Sequence, residues 1–380
     1  MRQLAFALLV LSEIVLIVCG GGTIPAHPAT PTNEVLYILN GGTVSTYAID
    51  PSSLVATPRE QPVTLLAAPA FLLQFDPSPH DDFVYVMWLD GLQMQHLSVF
   101  RTDSFGVPQI PAIQVLNADS LSQFNMHPSG RFAYMLEVTS SSGLYQADIR
   151  LFHAQSGQGT LEEDPQVQGS YGPGFYVPAF LYGFSPSGNA LYDTSTLENG
   201  SVYRQRQIDL NNGRLSSDDQ LLATSDEEQV ALGRFIVDQY QSDTSSSLSY
   251  LNVFPNTPNP GHPFIHCTMQ MLTFCATATN LQLDPSGQYL FFSDPATNAV
   301  HVATIHLSAG KLTDTGSSIP MTSQIPGFAF SSDGTIVYAM AKDSSVHFYH
   351  FDQSTGLLTE SGTPLPLNGG SGICPAHLGS

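Results

Sequence analysis

The stretch LQLDPSGQYLFFSD, residues 281–294, consists of two apolar runs around a tight turn. Asp284, Pro285 and Gly287 occupy the positions where a type I turn favours Asp, Pro and Gly. The run after the turn is rich in aromatic residues, which are typical of strands. The stretch therefore predicts a strand, a turn and a second strand.

Similar stretches recur along the chain. HPSG at 127–130 and SPSG at 185–188 repeat the turn, whereas SSDG at 331–334 lacks the proline and DPSP at 76–79 lacks the glycine. The aromatic runs are EVLYILN at 34, FVYVMW at 83, RFAYML at 131, NALYDT at 189, RFIVDQY at 234, QYLFFS at 288 and TIVYAM at 335. These seven copies recur at intervals of about 50 residues, a period at which repeats form propeller blades.

A second turn follows several of the aromatic runs, as in DLNNG at 209–213, HLSAG at 306–310 and DQSTG at 352–356. Each repeat then has room for four short strands, which is the pattern of a β-propeller blade. No long amphipathic helical pattern interrupts them. We therefore predict an all-β fold, a seven-bladed β-propeller of four-stranded antiparallel blades. A single Trp and no Trp-Asp dipeptide argue against the WD40 class.

The first aromatic run has no inner strand before it. The C-terminal GGSGICPAHLGS follows the last outer strand and is the only segment left to supply that strand. We therefore predict that residues near 371–378 pair with residues near 35–39 and close the ring.

The sequence predicts an export signal over 1–18, a tether over 19–33 and a single propeller domain over 34–378. An apolar run of about fifteen residues is too short to span a membrane. Leu16 to Cys19 resembles a bacterial lipobox, although Val18 stands where a small residue is usual. The main expectation is lipidation of Cys19 and anchoring to the cell envelope, with an uncleaved anchor or ordinary secretion as alternatives.

The composition bears on partners. A net charge of −21 would repel nucleic acid and anionic membrane surfaces, or it could simply serve solubility. We expect no nucleic acid partner, membrane contact only through the lipid, a monomer and no cofactor. In an oxidising compartment Cys267 and Cys275 are the expected disulfide. His262 and His266 lie nearby, but too few well-spaced ligands accompany them for a zinc site, so we expect no metal.

The repeats LDPSGQYLFFSD, MHPSGRFAYML and FSPSGNALYD, each followed by its downstream Gly turn, resemble the lactonase-like seven-bladed propellers. That group includes propeller-type 6-phosphogluconolactonases and YVTN-repeat proteins, and LYILN at 36–40 is close to the YVTN motif. The resemblance covers about 34–372. It implies the fold strongly and the activity weakly, because repeat residues build blades rather than sites. No catalytic motif of the group aligns here.

Candidate site residues follow from their position in the repeat. On the inner strands, alternation predicts that Gln74, Asn125, Gly183, Gln282 and Ala329 face the tunnel, where amides could hold water or a neutral polar ligand. The third strands carry a belt of polar residues: Ser45, His96, Asp148, Arg204, Tyr250, His301 and His347. The belt either keys blades together or reaches the upper rim.

A third set lies near the ends of the second strands and includes Trp88, Glu137 and Asp294. Trp88 could stack on a sugar, and the two carboxylates could accept hydrogen bonds from its hydroxyls. The acidic run Asp226 to Glu228 could bind a cation or remain a solvated loop.

Two function classes remain open. The favoured one is an envelope-displayed binding or interaction module for a neutral polar ligand or a protein partner. The alternative is a lactone hydrolase, in which Glu137, Asp294 or the 226–228 run is the base and Arg204 or Lys342 stabilises the oxyanion. Glu137 and Asp294 belong to the third and sixth repeats, so we expect them to lie too far apart to work as a pair.

Overall fold

The computed structural model describes residues 18–19 and most of 34–377. The gaps within that range are 68–69, 79–82, 93, 118–120, 143, 175–178, 186, 198–199, 217–219, 226–228, 233–234, 242–248, 256–264, 269–277, 295, 321–327, 332, 341–343 and 368–371. In the described part no helix is long and apolar enough to cross a membrane. The predicted signal and tether boundaries stay predictions, since only Val18 and Cys19 of that region are described.

The described strands form seven sheets, which we number as blades I to VII. Blade I contains Glu34–Asn40 (β2), Thr43–Asp50 (β3), Val55–Pro58 (β4), Val63–Thr64 (β5) and the C-terminal Gly372–His377 (β31). Blade II contains Phe71–Pro77 (β6), Phe83–Leu89 (β7), Gln95–Arg101 (β8), Gln114–Asn117 (β9) and the short Val18–Cys19 (β1). Blade III contains Leu121–Met126 (β10), Phe132–Ser141 (β11), Leu144–Ala154 (β12), Leu161–Glu163 (β13) and Gly169–Gly174 (β14).

The remaining four blades have four strands each. Blade IV contains Ala179–Phe184 (β15), Ala190–Leu197 (β16), Gly200–Gln207 (β17) and Gln220–Ser225 (β18). Blade V contains Gln229–Leu232 (β19), Phe235–Gln241 (β20), Ser249–Pro255 (β21) and Ile265–Thr268 (β22). Blade VI contains Thr279–Leu283 (β23), Tyr289–Asp294 (β24), Ala299–His306 (β25) and Lys311–Pro320 (β26), with a 3₁₀ turn at Leu307–Ala309. Blade VII contains Phe328–Phe330 (β27), Ile336–Met340 (β28), Ser345–Asp352 (β29) and Leu357–Pro366 (β30). The predicted seven-bladed, all-β architecture is confirmed.

The predicted ring closure is also confirmed. The C-terminal β31 pairs antiparallel with β2 in the register Glu34↔His377 to Leu39↔Gly372. Because β31 comes from the opposite end of the chain, blade I joins the two termini of the propeller. Pairing both strands also removes two exposed sheet edges.

The quoted turn forms as predicted. Gly287 has φ +68° and donates its N–H to the carbonyl of Asp284 at 2.8 Å. The buried Asp284 carboxylate accepts from the N–H groups of Ser286 and Tyr289 at 2.9 and 2.8 Å. In the turn at 127–130, His127 takes the place of the aspartate: its Nδ1 accepts from the Ser129 N–H at 3.0 Å. A ring nitrogen can therefore replace a carboxylate at this position.

Both faces of a blade pack against neighbouring blades. Five described clusters of buried apolar residues each draw on two adjacent blades, for example Phe75 with Tyr37 between blades I and II, and Phe124 with Tyr85 between blades II and III. Stacking is what buries both sides of each sheet.

A recurring tyrosine joins the blades. The Tyr37 hydroxyl donates to the carbonyl oxygen of Gly106 at 2.7 Å, and Tyr85 donates to that of Gly159 at 3.2 Å. Tyr134 makes the same bond to Gly213. Each tyrosine lies on a second strand, and each glycine lies in the turn after the third strand of the next blade. The two sequence signatures of the repeat are thus two halves of one contact.

Candidate functional site

A group of charged side chains lies on the face of blade III that packs toward blade II. Glu137 on β11 is directly opposite Asp148 on β12, and directly opposite residues share a face. Arg150 follows Asp148 by two residues, so it lies on that face too. The face is identified by Met135 and Phe152, which pack with blade II residues. We call Glu137, Asp148, Arg150, Glu163 and Ser170 the Glu137 cluster.

Arg150 is at the centre of the cluster. Its Nη1 lies 3.8 Å from Oε2 of Glu137, and its Nη2 donates to Oε1 of Glu163. The hydrogen bond that Arg150 donates to Glu163 is the largest cause that raises the pKa of Arg150, a group that is in any case always charged. The side chains of Glu137 and Arg150 are 34% and 24% exposed. A carboxylate and a guanidinium are therefore held together within reach of solvent.

Asp148 extends the cluster toward the turn between β11 and β12. It accepts a hydrogen bond from the Ser170 hydroxyl at 2.5 Å and one from the Gln146 amide at 3.2 Å. Ser170 is placed by β14, which pairs with the first half of β12 after β13 has paired with its second half. The cluster thus combines carboxylates, a cation and a hydroxyl, with the Gln146 amide beside it, and such groups can form hydrogen bonds with sugar hydroxyls. Within the described ranges no group of His, Cys, Asp and Glu side chains is arranged to hold a metal ion.

Glu137 and Asp148 are sequence-predicted candidates that meet at this cluster, whereas Asp294 and Arg204 lie elsewhere. Asp294 ends β24 in blade VI and is 6% exposed. Its Oδ1 accepts from the Ala296 N–H at 3.0 Å and its Oδ2 from the Thr297 hydroxyl at 3.1 Å. Asp294 therefore caps its own turn, and Glu137 and Asp294 lie in blades III and VI as expected.

Arg204 lies on a different interface from Glu137. Its guanidinium is 5.5 Å from the centre of the Tyr171 ring, between blades III and IV. Glu137 lies on the opposite face of blade III, so the predicted pairing of Glu137 with Arg204 as base and oxyanion stabiliser is not formed in this structure. A catalytic role for either residue alone stays a prediction.

Beside Arg204 is a buried charged group. Arg206 Nε donates to Oδ2 of Asp193 at 2.7 Å, and its Nη2 donates to the Tyr171 hydroxyl at 2.6 Å. Burial raises the pKa of Asp193 although the Arg206 cation opposes the shift. Asp193 is 0% exposed. Arg206 and Tyr171 are also buried, at 5% and 7% exposure, so this trio joins blades III and IV.

The belt residues on the third strands mostly bind within their own blades. His96 contacts Asp90 at 3.3 Å and Asn117 at 3.1 Å, while His301 contacts the Thr297 hydroxyl at 2.8 Å. The ring of His96 stacks on Trp88 at 4.4 Å between centroids. One face of Trp88 is therefore covered by His96, and sugar stacking by Trp88 stays a prediction that must use the other face.

One inner-strand amide, that of Gln74, differs from expectation. Gln74 is buried, donates its amide to the Phe124 carbonyl and accepts from the Phe124 N–H at 3.2 Å. Gln74 thus reaches the next blade, and the prediction that it faces the tunnel is wrong. The reason is that both faces of a blade sheet meet neighbours, so only the strand edge faces the tunnel. Asn125 is buried and Gln282 half-buried; ligand binding by Gln74, Asn125 or Gln282 stays a prediction.

Several candidates fall outside the described residues: the acidic run 226–228, Lys342, His262 and Cys275. The Cys267–Cys275 disulfide accordingly stays a prediction, with only the backbone of Cys267 placed, on β22.

Arg150 and Ser170 are not among the candidates that the sequence predicted. Arg150 follows a belt residue by two positions on the same strand, and a period of two puts both on one face. That signal was available from the sequence. No sequence signal indicated Ser170, because its position depends on where β14 begins to pair with β12 after β13 has ended.

Comparisons with known proteins agree with the fold. The model of a family described as lactonase, 7-bladed β-propeller matches residues 234–374. No curated protein is detectably similar to the chain.

Three solved structures superpose on nearly the whole chain. A periplasmic gluconolactonase from Pseudomonas aeruginosa is 14% identical with TM-score 0.60, covering 91% of this chain and 99% of its own. A Bacteroides fragilis protein provisionally assigned as a 6-phosphogluconolactonase is 15% identical with TM-score 0.60, covering 92% and 99%. A Lactobacillus plantarum protein is 14% identical with TM-score 0.61, covering 90% and 99%. At these identities the structures share the fold alone.

Proposed function

We propose that this chain, a lactonase-family β-propeller, hydrolyses a neutral sugar lactone at the Glu137 cluster. The observation that carries the proposal is the half-exposed carboxylate of Glu137 held 3.8 Å from the guanidinium of Arg150. Ester hydrolysis needs a base for water and a positive group for the developing oxyanion. The names of two superposable proteins, a gluconolactonase and a provisional 6-phosphogluconolactonase, support the same chemistry.

In the proposed reaction, Glu137 accepts a proton from a water molecule as the water oxygen bonds to the lactone carbonyl carbon. Arg150 stabilises the negative carbonyl oxygen of the tetrahedral intermediate. The bond from that carbon to the ring oxygen then breaks, and the ring oxygen takes the proton back from Glu137. Asp148 and Ser170 bind hydroxyl groups of the substrate. The product is the open-chain hydroxy acid.

The test measures proton release from glucono-δ-lactone by the purified protein, after subtraction of the hydrolysis in buffer. Glu137→Gln keeps size and polarity but removes the base, so we expect kcat to fall about 100-fold or more. The control is Asp294→Asn, which alters the other predicted base but retains an oxygen that can cap the turn. Equal rates for Glu137→Gln and the native protein, or loss only in Asp294→Asn, would contradict the proposal.

A second candidate, an interaction module for a protein partner, has an observation of its own. Six of the ten large hydrophobic residues found exposed in the described part lie between residues 92 and 115 on blade II: Leu92, Met94, Phe105, Ile110, Ile113 and Val115. Ile113 and Val115 lie close together on the chain at the outer strand β9, and groups of exposed apolar side chains mark interaction surfaces. In-cell crosslinking to a discrete partner that disappears in Ile113→Lys with Val115→Lys, at unchanged Tm, would favour this function.

A further inference from the structure

The short N-terminal strand β1 lies at the tunnel edge of blade II. It precedes β6 in the order of that sheet, and β6 is the innermost strand of the blade. The two strands run parallel, with Val18 opposite Gln74 and Cys19 opposite Phe75. Strand β1 also contacts β31, the strand that closes the ring. The backbone of Cys19 is therefore placed at the joint between blades I and II.

Cys374 lies at the same joint. It is on β31, is 2% exposed and is disulfide-bonded. Its Sγ is 3.9 Å from the carbonyl oxygen of Phe75, the residue that Cys19 faces in the register. The position of Cys19 and the sulfur of Cys374 thus converge on one residue.

The two remaining cysteines are Cys267 and Cys275. Cys267 lies on β22, the outermost strand of blade V, and blade V is not next to blade I or blade II in the ring. A disulfide requires Cα atoms within about 7 Å. Cys267 is accordingly excluded as the partner of Cys374 by the fold. Cys275 lies outside the described residues, so the experiment below must distinguish it from Cys19.

We propose that Cys19 is bonded to Cys374, and that residues 18–19 form a strap fastened inside the tunnel across the joint of blades I and II. In forming the bond each thiol gives up its proton and the pair gives up two electrons. A disulfide-bonded oxidoreductase of an oxidising compartment accepts them and becomes a dithiol. The bond links the closing strand to a residue more than 350 positions earlier, and long loops give the largest entropic stabilisation.

Two consequences follow. The strap occupies the backbone edge of β6 at Gln74 and Phe75, so that part of the tunnel wall is covered. The sulfur of Cys19 cannot carry both a thioether-linked lipid and a disulfide. The predicted lipid anchor and the strap therefore exclude one another.

The first test is a peptide map of the full-length protein, purified without reductant after thiol blocking. We expect a crosslinked pair of peptides containing Cys19 and Cys374, two hydrogens lighter than their sum and separated by reduction. A lipid on Cys19, a bond from Cys374 to Cys275, or a chain that lacks residue 19 would each overturn the proposal.

The second test measures amide hydrogen exchange over residues 72–76 before and after reduction. We expect exchange there to rise at least several-fold when the strap is released, and to be high without reductant in Cys374→Ser. Cys267→Ser is the control and should behave as the native protein. If Cys374→Ser does not fold, hydrogen exchange of the native protein with and without reductant is sufficient for the test. Unchanged exchange on reduction would refute the strap.

Discussion

Two glycines of one turn in blade III, Gly157 and Gly159, share a backbone conformation but not their surroundings. Both have φ +69°. A Cβ on Gly159 would lie 2.3 Å from Cδ1 of Phe83, whereas a Cβ on Gly157 would meet nothing within 4 Å. Gly213 repeats the arrangement, with Phe132 at 2.6 Å. The turn glycine thus has two reasons to be glycine: its φ, and the ring of the preceding blade.

This difference predicts unequal costs for two matched substitutions. Gly157→Ala should cost about 1 kcal/mol of the free energy of unfolding, from the positive φ alone. Gly159→Ala bears the same conformational cost and must also displace Phe83, which adds roughly 1–3 kcal/mol. Urea denaturation of both variants measures the difference. Equal losses would show that the contact between Phe83 and Gly159 contributes nothing.

Asp76 links stability to pH. It is buried on β6, where burial raises its pKa to about 7, against a weaker opposing effect of the hydrogen bond from the Met126 N–H. Between pH 4 and 7 the folded state therefore holds a proton that the unfolded state has released. Stability contributed by this proton is complete below pH 4, decreases as pH rises and is lost above pH 7.

Asp76→Asn should remove that dependence. The amide oxygen can still accept from Met126, and no charge has to be buried. We expect a gain at pH 8 of up to about 4 kcal/mol in the free energy of unfolding and little change at pH 4. Asp284→Asn, at the equivalent position of the repeat, is the control and should give no gain, because its carboxylate accepts several hydrogen bonds. A gain equal at both pH values would assign the effect to packing.

The strands and turns of the blades were predictable because they depend on local chemistry. The turn at Asp284 and Gly287 was predictable because it depends on residues within a few positions of one another. The closure of blade I by β31 was predictable because one strand of the first repeat had no partner in the sequence. Contacts between blades were less accessible, because they depend on how one repeat meets the next. Tyr134 and Gly213 each belong to a stretch that the repeat pattern contains, but their hydrogen bond across two blades could not be predicted from it.

The candidate site was predictable only in part for the same reason. The repeat placed Glu137 on a second strand, but the prediction that it ends that strand is wrong, because β11 continues to Ser141. Its partner is Arg150 on its own sheet and not Arg204 on the next blade. Such pairings depend on which neighbouring blade each face of a strand packs against. Gln74 was assigned to the tunnel by alternation, although alternation only distinguishes the two faces of a blade.

For the whole molecule, charge limits the substrates that the proposed site can take. The chain carries 32 acidic and 11 basic residues. The seven arginines whose side chains are described all have partners: Arg59 over Phe105, Arg101 on Gly157, Arg131 on Leu210, Arg150 on Glu163, Arg204 over Tyr171, Arg206 on Asp193 and Arg214 on Asp164. The negative potential of the protein would repel a phosphate group. Among the described residues, no cluster of arginines is available to offset that repulsion.

Glucono-δ-lactone and its 6-phosphate form a matched pair of substrates that tests this limit, since they differ only in the charged group. We expect kcat/KM to be higher for the neutral lactone at low ionic strength, because the net negative potential slows the approach of the anion. Added salt shortens the screening length, so the ratio of the two kcat/KM values should move toward one as salt increases. Rates corrected for hydrolysis in buffer, at about 0.02 and 0.5 M salt, give the ratio. A preference for the phosphorylated lactone at both salt concentrations would mean that residues outside the described part supply a phosphate site.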